Sequence, residues 1–65
     1  MTDGAKLILS FMQERKAEKD NCFYSVDLLQ TGIPLDELDR YLVELVRKNL
    51  IDVDNTYRQT GYSLL

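Results

Sequence analysis

Hydrophobic and polar residues alternate along the chain in patterns that divide it into four segments. In the first segment, from Ala5 to about Lys19, apolar side chains recur at helical spacing. Ile8, Phe11 and Met12 mark the centre of this apolar face, and polar residues occupy the opposite one. The pattern predicts an amphipathic helix, which ends before a loop at Asp20-Asn21.

The second segment, Cys22 to Thr31, combines a strand signal with a helix signal. Cys22-Phe23-Tyr24 is short, apolar and aromatic, which is typical of a stub of β-strand. Ser25 is a favourable N-cap for a short helix that follows, and Gly32 is the usual residue for a left-handed helix stop. We therefore expect a strand stub, a short helix and a glycine turn.

The third segment, Pro34 to about Asn49, carries the clearest helical pattern in the chain. Proline is accepted in the first turn of a helix, and acidic residues follow it there. Basic residues close the last turn, where they suit the helix dipole. The apolar stripe that predicts the buried face consists of Leu38, Leu42, Leu45 and Val46, flanked by Leu35 and Tyr41.

The fourth segment, Leu50 to Leu65, has the pattern of a β-hairpin. Leu50–Val53 and Tyr62–Leu65 alternate in part between apolar and polar residues, as half-buried strands do. The stretch between them, Asp54–Gly61, is polar and rich in turn-forming residues. The four segments together predict an α+β fold, mostly α with a small hairpin.

Length and composition limit the possibilities further. A chain of 65 residues is one domain at most, covering 1–65, and its hydrophobic fraction of 45% suits a compact core. No apolar run approaches the ~18–20 residues that a membrane span needs. The first residues lack the basic start and apolar stretch of a signal peptide, so we expect a cytoplasmic protein.

The side-chain inventory argues against catalysis. The chain has one cysteine, Cys22, and no histidine, which removes the usual zinc site and the commonest general acid or base. We expect Cys22 to be a buried structural thiol. The expectation is therefore a protein that is not an enzyme and that has no cofactor and no metal.

Several short motifs match a known family. Ser25–Leu29 matches the second helix of that family, and Thr31–Pro34 matches its glycine turn. Leu38, Leu42 and Leu45 match the apolar positions of its third helix. Asn49–Ile51 matches the entry into its first strand, and Tyr62–Leu64 matches its returning strand. In these motifs the chain resembles the winged helix-turn-helix family. The resemblance implies three helices followed by a two-stranded wing. A plain three-helix bundle with an unstructured tail is the alternative.

The resemblance also implies a function. In this family the third helix usually enters the major groove of DNA and the wing reaches the backbone. It implies a small DNA-binding or transcription-regulator-like module, with Arg58 near the middle of the wing. The residues that we expect to contact DNA or another partner are Leu35, Asp36, Asp39, Arg40, Val43, Arg47, Tyr57, Arg58 and Gln59.

Charge opposes the DNA hypothesis. The net charge is −3, and from Pro34 to Arg40 three acids face a single base. The alternative is a protein–protein interaction module that does not bind DNA, and a homodimer through the first helix is compatible with either function. A basic surface joining Arg58 to Arg40 and Arg47 favours DNA. An acidic third-helix face with an apolar patch favours a protein partner.

Overall fold

The computed structural model of the chain describes residues 1–55 and 59–65, and it has an α+β architecture. The helices and strands are α1 (Asp3–Arg15), β1 (Phe23–Tyr24), α2 (Ser25–Leu28) with a 3₁₀ turn (Leu29–Thr31), α3 (Leu35–Arg47), β2 (Ile51–Asp54) and β3 (Gly61–Leu64). The α+β expectation is confirmed, and the layout is compatible with a winged-helix arrangement.

Helix α1 forms because its apolar residues share one face and its start is capped. Thr2 is the N-cap, and its hydroxyl accepts a hydrogen bond from the Ala5 N–H at 3.3 Å. The helix ends at Arg15, earlier than the predicted Lys19. The reason is that the last buried side chain of the helix is Met12, so the residues that follow gain little from helical packing.

Helix α2 begins one residue earlier than the sequence indicates, since Ser25 was the predicted N-cap. Ser25 is its first helical residue, and Tyr24 occupies the N-cap position. The Tyr24 N–H donates to Oδ2 of Asp27 at 3.0 Å, so Asp27 provides the reciprocal bond of a capping box. Gly32 has φ 86°, which confirms the predicted left-handed stop after the 3₁₀ turn.

Helix α3 begins after Pro34 and ends in a Schellman motif. The Leu50 N–H donates to the carbonyl of Leu45, and the Asn49 N–H donates to that of Val46, both at 3.0 Å. This motif requires a left-handed residue, and Asn49 has φ 58°. Asparagine therefore takes the place that glycine usually has at this helix end, and the chain turns directly into β2.

The sheet contains one strand more than the predicted two-stranded wing. Its order is β1-β3-β2, with both pairings antiparallel. Phe23 lies opposite Tyr62, so the stub that the sequence indicated joins the hairpin. Asn21 extends this pairing by one step: its Oδ1 accepts from the Leu64 N–H at 2.8 Å, and its Nδ2 donates to the Leu64 carbonyl at 3.0 Å.

The core lies where the helices cover the sheet. Phe11 packs edge-to-face against buried Phe23, with ring centroids 6.2 Å apart. Cys22 is exposed, so the expectation of a buried thiol was wrong. Side chains alternate across a strand, so inward-facing Phe23 leaves its neighbour outside. The buried hydrophobic residues are Ala5, Ile8, Met12, Phe23, Leu28, Ile33, Leu38, Leu42, Leu45 and Ile51.

Asp27 joins the loop after α1 to α2. Its Oδ1 accepts from Nζ of Lys19 at 3.1 Å while Oδ2 holds the Tyr24 N–H. The Tyr24 hydrogen bond is the main reason that the pKa of Asp27 lies below its ordinary value; burial opposes this effect and Lys19 adds to it. A lowered pKa means that the folded state favours the charged carboxylate.

We expect Asp27→Asn to lower the free energy of unfolding by about 1 kcal/mol at pH 7. A depressed pKa stabilises the fold above the unfolded pKa, and this contribution disappears as pH falls below about 4. Thermal unfolding from pH 7 to pH 2.5 should therefore bring wild type and variant together at low pH. Glu18→Gln, which removes the exposed pair between Glu18 and Arg15, is the control and should change stability by under about 0.5 kcal/mol. A constant gap across this range would contradict the charge-based account.

Candidate interaction surface

Helix α3 presents one continuous exposed face. Its buried side is anchored by Leu38, Leu42 and Leu45. Steps of 100° per residue therefore turn the opposite side toward solvent. The predicted contact residues of this helix are all exposed there: Leu35, Asp36, Asp39, Arg40, Val43 and Arg47.

The exposed face is divided by charge along the helix. Asp36 and Asp39 lie in its N-terminal half, whereas Arg47 and Lys48 lie at its C-terminal end. Arg40, Arg47 and Lys48 line a single shallow cavity of about 360 Å³ together with Val43 and Glu44. Among residues 1–55 and 59–65, the ion pairs join Arg15 to Glu18 and Lys19 to Asp27, so these three cations have no acidic partner there.

A cleft separates α3 from the hairpin, and we call it the helix–hairpin cleft. Its volume is about 420 Å³. Asp39 and Arg47 lie at opposite ends of its helical wall, about 12 Å apart along the helix axis, and the residues between them are mostly apolar. The described residues that line it are Asp39, Leu42, Val43, Val46, Arg47, Val53, Asn55, Thr60 and Tyr62.

A second cavity adjoins the first, and we call it the tyrosine pocket. It also measures about 420 Å³, and it shares Asp39, Thr60 and Tyr62 with the helix–hairpin cleft. Val26 lines this pocket with 67% of its surface exposed. The described residues that line the pocket are Tyr24, Ser25, Val26, Asp39, Gln59, Thr60 and Tyr62.

Asp39 dominates the electrostatics where the two cavities meet. It is the only acidic or basic side chain among the described residues that line the tyrosine pocket. Burial raises the pKa of Tyr62, and the negative charge of Asp39 raises it further. The phenol of Tyr62 therefore stays neutral at physiological pH, and the shared region carries the negative charge of Asp39.

Only part of this surface follows from the sequence. Gln59 is exposed and lines the tyrosine pocket, whereas predicted Tyr57 and Arg58 lie outside the described residues. From their places in the predicted strands, Tyr24 and Tyr62 are expected to pack at the edge of the core. Both are half-buried as expected, and both also line the tyrosine pocket. Alternation in β3 indicates that Tyr62 points to one side of the sheet, but not that a cavity lies there.

The edge of the sheet that β2 forms is poorly suited to pair with another strand. The Leu65 N–H donates to the Leu50 carbonyl, and in that register the N–H of Val53 faces away from β3. This N–H donates to Oδ1 of Asp52 at 2.9 Å. Asp52 thus occupies a donor that an added strand would need, and its charge discourages strand pairing. The clefts beside α3 are the better candidates for partner contact.

Comparison of the chain with protein-family models, with characterised proteins and with solved structures finds no match. In residues 1–55 and 59–65, no helix has the length and apolarity required to cross a membrane. In the same part of the chain, no three His, Cys, Asp or Glu side chains come close enough together to hold a metal ion. The geometry and charge of the surface therefore indicate which kind of partner it suits.

Proposed function

We propose that the chain is a winged helix-turn-helix domain that binds a protein partner through the helix–hairpin cleft, whose α3 wall includes Asp39, Val43 and Arg47. The element order supports the family assignment, as do the left-handed stop at Gly32 and the entry into β2 at Asn49. The proposal contains no catalytic step and no cofactor. It treats the domain as a binding module.

The observation that carries the proposal is the composition of the helix–hairpin cleft. Val43, Val46 and Val53 give it an apolar lining, and Val43 retains 49% of its surface exposed. Burying such side chains against a partner contributes about 25 cal/mol per Å² of apolar area. Asp39 and Arg47 at the two ends provide charges that can orient a bound polypeptide.

The same cleft is unfavourable for a DNA backbone. Wing and third helix normally hold the duplex between them, and phosphate contacts supply most of the affinity. Asp39 lies in this position, and Asp36 and Glu37 precede it on α3. A phosphate brought into this region would meet like charge, and the described base that lines the cleft, Arg47, lies at its far end.

DNA binding remains the second candidate because of three basic residues on the exposed face of α3 and at its C-terminal end. Arg40, Arg47 and Lys48 lie together and have no acidic partner among the described residues. Together with Arg58 of the wing segment, they supply the cations for a weak contact with the phosphate backbone. The helix dipole already explains basic residues at the end of α3, which is why this observation ranks second.

Selection of peptides on the wild-type domain, followed by measurement of their affinity for Val43→Ala, tests the proposal. Wild-type domain is immobilised, and a displayed library of random dodecapeptides is selected on it at physiological salt. We expect enriched peptides whose affinity for Val43→Ala is reduced about fivefold to tenfold, because two methyl groups leave the contact. Leu35→Ala is the matched control: Leu35 is also exposed on α3 but does not line the cleft, and its loss should change affinity less than twofold.

Titration of labelled domain with mixed-sequence duplex DNA separates the two candidates. The protein-partner proposal predicts no binding at low salt. Binding that weakens steeply with salt and that drops on Arg47→Ala would establish the DNA function instead, since each lost phosphate contact reduces the salt slope by about 1. Failure of the peptide selection together with such DNA binding would overturn the proposal.

A further inference from the structure

We infer that the tyrosine pocket receives a lysine or arginine side chain of the protein partner, paired with the carboxylate of Asp39. This inference rests on the proposed function and specifies the chemistry of the partner. It divides the recognition surface into two parts. An apolar residue of the partner occupies the helix–hairpin cleft, and a neighbouring basic residue occupies the tyrosine pocket.

The carboxylate of Asp39 has no bonding partner within the described part of the domain. Several other carboxylates of the domain are engaged; for example, Asp27 binds Lys19 and the Tyr24 N–H, and Glu44 accepts from the N–H and hydroxyl of Thr2 at 3.0 and 3.2 Å. Among residues 1–55 and 59–65, the carboxylate of Asp39 forms neither a hydrogen bond nor an ion pair. It therefore has unused capacity to accept from a cation.

The tyrosine pocket around this carboxylate is lined by neutral hydrogen-bond acceptors and aromatic rings. Ser25, Gln59 and Thr60 line the tyrosine pocket and offer hydroxyl and amide oxygens that accept hydrogen bonds. A guanidinium carries five N–H donors and an ammonium carries three, so a basic side chain can use several of these acceptors at once. Tyr24 and Tyr62 add aromatic rings, which attract cations placed over their faces.

The tyrosine pocket is complementary in charge to a basic side chain. Among the described residues that line the tyrosine pocket, Asp39 is the only acidic or basic one, and its negative charge favours a cation. The shared residues Asp39, Thr60 and Tyr62 place the pocket directly beside the apolar helix–hairpin cleft. A short segment that contains an apolar residue beside a lysine or arginine fits both cavities.

The test is an NMR titration of ¹⁵N-labelled domain with blocked Gly-Arg-Gly. Blocked Gly-citrulline-Gly, in which an uncharged urea replaces the guanidinium, is the matched control ligand. We expect the arginine peptide to shift the backbone amides of Asp39, Gln59 and Thr60 in a saturable and salt-sensitive manner. The citrulline peptide should bind at least fivefold more weakly.

Two variants locate the interaction. Asp39→Asn should reduce affinity for the arginine peptide at least fivefold, because it removes the charge while keeping the size of the side chain. Asp36→Asn makes the same change in net charge on the same helix, outside both cavities, and should alter affinity less than twofold. Unfolding curves of both variants confirm that the comparison is made between folded proteins.

Three results would overturn the inference. They are the absence of saturable shifts with the arginine peptide, equal binding of the citrulline peptide, and equal effects of Asp39→Asn and Asp36→Asn. The peptide selection distinguishes this failure from failure of the proposed function. Peptides that depend on Val43 but share no basic residue would overturn the basic-side-chain inference while leaving the protein-partner function in place.

Discussion

Replacing Asn21 by alanine is expected to lower the free energy of unfolding by about 3 kcal/mol, because it leaves both backbone groups of Leu64 without a partner. The Asn21 carboxamide donates to the Leu64 carbonyl and accepts from its N–H, at 3.0 and 2.8 Å. The Asn21 side chain thus makes the two hydrogen bonds that a further residue of β1 would make to β3. For a domain of this size, such a loss lowers the melting temperature by roughly 12–24 °C, which circular dichroism measures directly.

Part of this effect comes from the backbone rather than from the hydrogen bonds. Asn21 has φ 54°, and alanine is less tolerant of left-handed backbone than asparagine. Asp20 has φ 52° and provides the matched control, since no side-chain hydrogen bond joins it to the described residues. We expect Asp20→Ala to cost about 1 kcal/mol. Equal losses in the two variants would show that the bonds to Leu64 contribute nothing.

Replacing Gly4 by alanine is expected to destabilise the domain by about 2 kcal/mol. Alanine normally stabilises a helix by up to about 1 kcal/mol relative to glycine, so the expected sign is reversed here. The reason is that the Tyr41 ring of α3 lies directly against Gly4 of α1, and a Cβ atom at position 4 would overlap the far edge of the ring. Tyr41 must then move out of its half-buried position, which weakens the contact between the two helices.

A double-mutant cycle isolates this contact. Tyr41→Leu removes the ring atoms that an alanine at position 4 would meet. In that background Gly4→Ala should be neutral or slightly stabilising, as helix propensity predicts. Chemical denaturation of the four proteins gives the coupling energy. A higher midpoint for Gly4→Ala alone would mean that the ring yields without cost.

The elements with a strong periodic pattern were predictable. The stripe of leucines 38, 42 and 45 placed α3 within two residues at its C-terminal end, and Gly32 marked the stop before it. The end of α1 was less predictable. Polar residues between Met12 and Lys19 remain compatible with a helix, but the helix ends at Arg15 because none of its side chains after Met12 is buried in the core.

The candidate site was predictable in its parts but not in its arrangement. Exposure of Asp39 and Val43 follows from the apolar stripe on the other side of α3. No sequence pattern indicates that Tyr24 lines a pocket with Asp39, because these residues lie on different elements. Exposure of Cys22 was missed for a related reason: an apolar neighbourhood in sequence does not reveal which face of a two-residue strand meets the core.

The sequence by itself determined the helices, the hairpin and the outward face of α3. These features arise from hydrogen bonds between near neighbours and from an apolar period that repeats every few residues. Only the tertiary structure decided that β1 pairs with β3, that Asn21 completes that pairing, and that Asp39 lies where two cavities meet. Those outcomes depend on how separate elements pack against one another across most of the chain, and local periodicity contains no information about such distances.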